Sequence, residues 1–173
     1  MEEDSTVAMA SGDRDTFLGN GGTGVISLAT AGDTPPHTIP VSYGYDPVEE
    51  TFYFRLAVGE QWSKEELDGR AVTFVTYSHS GHGNPGGRSP GGQPDNVDIE
   101  QDDEDRRWRS VVASGRLQNI EQEDIASESL AGLDRVDIPL VDMFGSPPGE
   151  ITFEFLRLVP DELHAREETF TST

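Results

Sequence analysis

The stretch His37-Thr-Ile-Pro-Val-Ser-Tyr-Gly-Tyr-Asp46, followed by Thr51-Phe-Tyr-Phe-Arg-Leu56, decides the fold of this chain. Ile39, Val41 and Tyr43 recur at every second position, the period of a strand with one buried face. Asp46-Pro47 opens a turn, and the aromatic run from Thr51 reads as the antiparallel partner. Upstream, Val25 to Thr30 reads as a strand, and Ala31 to Pro36, with Gly, Asp and two prolines, as the turn after it. Residues 24–56 therefore read as a β-meander.

Three more strands follow downstream: Arg70 to Ser78, Trp108 to Ile120, and Ile151 to Val159. Helices are few and short. Asp13 to Leu18 is one, stopped by Gly19-Asn-Gly-Gly22, and Ser63 with Glu66 has capping-box spacing, which starts another at Ser63. Gln122 to Leu133 reads as a third, with Ile125, Leu130 and Leu133 inward, and Pro160 to Leu163 reads as a closing turn. Residues 1–12 form a flexible N-terminal segment, and 13–173 a single domain. Residues 79–107 are rich in Gly, Pro, Asn and acidic side chains, with Val97 and Ile99 as apolar anchors; this loop insertion is too long for an ordinary connection. Six strands with short peripheral helices predict a mostly β fold, a small antiparallel barrel, and argue against a doubly wound α/β sheet.

Composition bounds what such a barrel can do. The 173 residues include 33 Asp or Glu against 12 Lys or Arg, for a formal charge of −21. Lys64 is the sole lysine; the other basic residues are eleven arginines. Leu, Ile, Val and Phe total 39, enough for a core but a small one, which an interface would help to fill. The acidic residues are dispersed along the chain, so they repel one another in dilute buffer and are screened in strong salt. Acid-rich, lysine-poor and small in core, this composition resembles cytosolic proteins of salt-in halophiles; the other reading is an acidic interaction protein. Without cysteine there is no disulfide framework and no thiolate metal site. No stretch is apolar enough to span a membrane, and the acidic start lacks the apolar region of a secretory signal, so the expected location is the cytoplasm. The surface charge argues against nucleic acid as a partner.

Three segments are candidates for chemistry. Around Arg55, Ser63 and Lys64, a helix start with a hydroxyl and two cations can hold an anion. A helical ion pair between Lys64 and Asp68 explains the lysine equally well. In the strand from His37, Pro40 leaves an edge unpaired, where backbone groups, Ser42 and Tyr43 can face a planar heterocycle; an ordinary barrel strand is the plainer reading. In Trp108-Arg-Ser-Val-Val-Ala-Ser-Gly115, Trp108 and Arg109 can cover an aromatic ligand and Ser110 can bond a ring heteroatom, or the segment is core packing with a surface arginine. Gly115 within this strand marks a bulge or a close backbone approach. His79 and His82 make a weak metal pair, Gly19-Asn-Gly-Gly-Thr-Gly24 precedes a strand where a nucleotide loop opens a helix, and no Ser-His-Asp triad follows from spacing.

Taken in order, these segments resemble the FMN-binding split barrel of the pyridoxamine 5′-phosphate oxidase-like proteins, including their nitroimidazole-reductase branch. The resemblance covers roughly residues 17–120 apart from the insertion. It implies a six-stranded antiparallel split β-barrel and a homodimer with two flavin sites at the interface. It places Pro40, Val41, Ser42 and Tyr43 along the isoalloxazine and ribityl chain, and Arg55 and Leu56 near the ring edge or phosphate. Ser63 and Lys64 then hold the FMN phosphate and Ser110 faces the pyrimidine edge of the ring, where the oxidase proper uses a glutamine; Trp108 and Arg109, read above as a cover for an aromatic ligand, complete the candidate cofactor-binding set. Ser63-Lys64 stands where the oxidases carry an Arg-Lys pair, and their C-terminal substrate-binding arginine and histidine motif is not matched; Arg166 in His164-Ala-Arg166 is a weak counterpart. The implication therefore stops at flavin binding and leaves vitamin B6 oxidation aside. The expected function is an FMN-dependent oxidoreductase for a small organic substrate; the alternative is a non-catalytic flavin, deazaflavin or haem-binding module. An acidic interaction barrel without cofactor is a third reading.

The charge makes its own prediction. Thermal melts followed by circular dichroism should show the midpoint rising between roughly 0.1 M and roughly 2 M KCl as carboxylate repulsion is screened. Equal midpoints would contradict the halophilic reading.

Overall fold

The structure is a computed structural model of the 173-residue chain and describes residues 7–58, 64–80, 107–120, 136, 138 and 152–169. Its elements run β1 (Val7–Ala8), α1 (Ser11–Leu18), β2 (Gly21–Leu28), β3 (His37–Asp46), β4 (Thr51–Val58), α2 (Lys64–Leu67), β5 (Ala71–Ser80), β6 (Arg107–Asn119), β7 (Thr152–Leu158) and β8 (Glu162–Thr169). The strands form one antiparallel sheet in the order β1-β8-β6-β5-β2-β3-β4-β7, and β7 returns to pair with β6. That last pairing closes a ring, β6-β5-β2-β3-β4-β7. The mostly β, six-stranded antiparallel barrel with short peripheral helices expected from the sequence is the fold observed.

The barrel is split along β6. Residues Arg107 to Ser114 pair with β8, whereas Leu117 to Asn119 pair with β7. Gly115 lies where the partner changes. A Cβ there would stand 2.9 Å from Leu158 Cδ1, 3.1 Å from the Val159 carbonyl oxygen and 3.3 Å from the Asp161 nitrogen. The Asp161 N–H donates to the Ser114 carbonyl at 2.8 Å, fixing the turn between β7 and β8 against β6. The close backbone approach read from this glycine is present.

Strand alternation sends Ile26 and Leu28, Val41, Tyr43 and Tyr45, Phe52, Phe54 and Leu56, and Val72 and Phe74 into the interior. Aromatic rings fill much of it. Phe74 lies 5.0 Å from Phe54, 5.1 Å from Tyr43 and 5.3 Å from Phe52, centroid to centroid, within the range of favourable ring packing. A chain with few aliphatic residues thus builds its core from large rings. Helix α1 packs on this core through buried Leu18 and half-buried Phe17. The Tyr43 hydroxyl donates to the Leu18 carbonyl at 3.3 Å and the Tyr45 hydroxyl to Asp15 Oδ1 at 2.9 Å. Burial pushes both phenols above their ordinary pKa, so they stay neutral donors. Arg14 bridges Asp15 and Glu50, tying α1 to the turn before β4.

Several boundaries differ from the sequence reading. β2 starts at Gly21 instead of Val25, because Gly21 to Gly24 pair backbone to backbone with Gly44 to Val41 and need no side chain for it. β8 takes over the second half of the expected closing turn and continues beyond it: Leu163 and Ala165 pack on the core while Glu162, His164 and Arg166 are exposed, an alternation too polar to stand out. Val7 and Ala8, from the expected mobile N-terminus, pair with Glu167 and Arg166. His79, Ser80 and Arg107 lie in β5 and β6, which narrows the insertion. The helix expected at 122–133 lies outside the described residues. Among the described residues no helix is long and apolar enough to cross a membrane.

Gly115→Ala tests the split. The added methyl meets backbone atoms that cannot move aside cheaply, so a loss of about 1–3 kcal/mol in urea unfolding is expected. A variant as stable as the parent would show that the close approach does not constrain the fold.

Candidate functional site

The outer face of the sheet carries the polar candidates, and hydrogen-bonded register places them. Ser42 on β3 stands opposite Thr23 on β2 and Arg55 on β4. Ser110 on β6 stands opposite Tyr77 on β5 and Arg166 on β8. The Thr76 hydroxyl donates to the Thr23 carbonyl at 2.9 Å and ties β2 to β5 at this level. One polar row therefore runs round the outside of the barrel, with Ser42 and Ser110 three strands apart along it. Beside it runs an apolar row: Pro40 opposite Val25, Val25 opposite Val75, and Val75 opposite Val112. Val25, Val75 and Val112 are only half buried and Pro40 is exposed.

At the β6 end of the polar row, Trp108 stacks on Tyr77 with centroids 5.0 Å apart and planes 19° from parallel. Tyr77 keeps 58% of its surface exposed, and His79 is tilted 6.4 Å from Trp108. An exposed aromatic pair beside hydroxyls and arginines suits a planar, polar-edged ligand. Beyond the apolar row a third, polar row closes the face. The Ser27 and Thr38 hydroxyls are 2.9 Å apart and those of Thr73 and Ser114 are 3.4 Å apart. Ser27, Thr73 and Ser114 line an open groove of ≈ 500 Å³ that also touches Arg116 and Glu162.

The residues singled out in the sequence divide between two faces. Pro40, Ser42, Arg55, Trp108 and Ser110 belong to the outer set. Val41, Tyr43 and Leu56 are buried in the interior, so toward the outer face they offer only main-chain atoms. Consecutive strand residues cannot share a face, and a run of four neighbours such as Pro40 to Tyr43 is split by the pleat. Arg109 alternates with Trp108 and Ser110, and its Nε lies 3.6 Å from Glu167, which Arg107 also engages at 3.3 Å. That pairing holds Arg109 to β8 on the face opposite Ser110. Lys64 opens α2, as the capping pattern implies, while Ser63 lies outside the described residues. Asp68, the other partner considered for Lys64, accepts a hydrogen bond from the Asn119 N–H at 3.0 Å and anchors α2 to β6.

Thr23, Tyr77 and Arg166 join the outer row without having been singled out for it. Tyr77 was legible as an alternating position of β5; Arg166 needed β8, whose register could not be read from so charged a segment. Among the described residues no group of His, Asp or Glu is arranged to hold a metal ion, and His82 of the proposed pair lies outside them.

With this geometry in place, comparison with known proteins identifies the class. A family model described as pyridoxamine 5′-phosphate oxidase matches residues 11–167. The chain belongs to that family. Among solved structures, a Corynebacterium glutamicum protein provisionally named a pyridoxamine 5′-phosphate oxidase superposes with a TM-score of 0.61 at 17% identity, covering 100% of this chain and 99% of that one. An FAD-binding protein from Mycobacterium smegmatis gives 0.55 at 15%, covering 95% and 99%. An FAD- and haem-binding protein from the same organism gives 0.53 at 14%, covering 98% and 75%. At these identities the likeness concerns the fold. A search of curated protein sequences gave no match.

Proposed function

We propose that this protein is an FMN-binding flavoprotein that works as an oxidoreductase on a small organic substrate. The observation that carries the reading is the outer row itself, in which register sets Ser42 against Arg55 and Ser110 against Tyr77 on the outside of the barrel. Family membership and the named flavin binding of structural relatives support it. The donor set fits the cofactor: hydroxyls and main-chain groups for the heteroatoms of a flavin ring, aromatic and apolar side chains for its flat surface, cations for its phosphate.

In this reading Ser42 and Ser110 hydrogen-bond the ring and ribityl chain, with the main chain of Pro40 to Tyr43 and of Leu56 alongside. Trp108 covers the ring, while Arg109 acts through its hold on β8. Arg55, Ser63 and Lys64 take the phosphate, which the general charge of the protein would otherwise repel. Bound FMN supplies hydride or single-electron chemistry; the chain contributes binding, orientation and exclusion of water. The row of exposed Pro40 and half-buried Val25, Val75 and Val112 favours a second copy of the chain as its cover, giving a homodimer with paired sites. A halophilic cytosol and the nitroimidazole-reductase branch are the setting and subgroup that go with this reading. The other reading, a carrier of flavin, deazaflavin or haem without turnover, uses the same face and is favoured by the relative that binds both FAD and haem.

Protein purified in strong salt and titrated with FMN should quench flavin fluorescence on binding. Lys64→Ala should weaken FMN by roughly 10- to 100-fold, the worth of one charged hydrogen bond, with the thermal midpoint unchanged. Unchanged affinity removes Lys64 from the phosphate site, and a parent protein that binds no FMN overturns the flavin reading. Reduction of bound FMN by a nicotinamide donor, with turnover of an added acceptor, distinguishes enzyme from carrier.

A further inference from the structure

Two residues between β6 and β7 mark a feature outside the barrel strands. Val136 and Ile138 pack on Tyr53, Ile120 and Phe155, a small apolar cluster separate from the barrel core. Tyr53 and Ile120 are 0% and 4% exposed, so the centre of this cluster is covered, while Val136, Ile138 and Phe155 are partly buried around it. Tyr53 and Phe155 are outward positions of β4 and β7, which places Val136 and Ile138 over the outer surface of the barrel.

Gly44 seats them. A Cβ on Gly44 would lie 2.6 Å from Val136 Cβ, 2.7 Å from Val136 Cγ2 and 3.1 Å from Ile138 Cγ1. Any side chain at position 44 would strike the body of Val136, so the glycine is a notch into which Val136 fits. Gly44 pairs with Tyr53, and the next outward pair along the same two strands is Ser42 with Arg55. Two residues of strand span about 7 Å. Val136 therefore stands one side-chain row from the hydroxyl and guanidinium of the candidate site, on the same face.

We infer that Val136 and Ile138, seated in the Gly44 notch, form the end wall of the Ser42–Arg55 part of the site and set how closely that part fits a flavin. The inference rests on the flavin reading. It assigns specificity to residues that carry no polar group: the wall blocks extension of a ligand past Ser42 along β3 and supplies apolar contact at the edge. Removing two methyl groups from the wall opens that edge, and filling the notch pushes the wall outward.

The test measures FMN dissociation constants by fluorescence quenching in strong salt for the parent, Val136→Ala, Gly44→Ala and Thr16→Ala, with a thermal melt of each. Both wall variants should bind FMN roughly three- to tenfold more weakly, as expected for loss of one or two buried methyl contacts. Thr16→Ala, on exposed α1 away from the outer rows, should bind as the parent does. Where Gly44→Ala lowers the melt, Val136→Ala decides, since it only deletes atoms. Val136→Ile, which keeps the wall, should retain parental affinity. A parent that binds FMN alongside a Val136→Ala variant of equal affinity overturns the wall and leaves the flavin reading standing. A parent that binds no FMN overturns both.

Discussion

Strand β6 bonds to three other strands, and the structure depends on its change of partner at Gly115. Up to Ser114 it holds β8; from Leu117 it holds β7. The turn between those two strands crosses β6 so closely that a Cβ at position 115 would press on Leu158 Cδ1 and on the main chain of Val159 and Asp161. Without that crossing β7 could not reach both β4 and β6, and the sheet would stay open. Closure removes exposed strand edges from the ring and fixes the pleat of every strand, so it also decides which side chains face outward.

The division into two faces reconciles a small core with a functional surface. Inside, aromatic rings from β3, β4 and β5 replace the aliphatic residues that the chain lacks. Outside, the same strands present hydroxyls, arginines, an apolar row and a stacked tyrosine–tryptophan pair. A site built this way inherits its precision from strand register and needs few dedicated loops. On that surface register sets Arg55 beside Ser42 and Arg166 beside Ser110.

Much of the fold was legible in the sequence because period-two alternation and turn residues act locally. Ile39, Val41 and Tyr43 announced their strand, and all six ring strands could be read in this way. β8 was not, since its apolar positions are Leu163 and Ala165 among charged neighbours, and it is held mainly by pairing with β6. The glycine-rich start of β2 was missed for the same reason, backbone pairing without a side-chain signature. For the candidate site, the sequence reading treated neighbouring residues as one surface. Pro40 and Ser42 face outward while Val41 and Tyr43 fill the core, a consequence of the pleat that a motif match does not encode. Nor could spacing reveal Val136 over Gly44, a contact between residues far apart in the chain.

The central claim is that the outer face between β4 and β6 is the flavin surface. A crystal structure of the protein grown in strong salt with FMN tests it most directly. The account predicts the flavin bound outside the barrel, in contact with residues of the row that includes Ser42, Arg55, Tyr77 and Ser110. A flavin lodged elsewhere on the protein, with that row left bare, would contradict it.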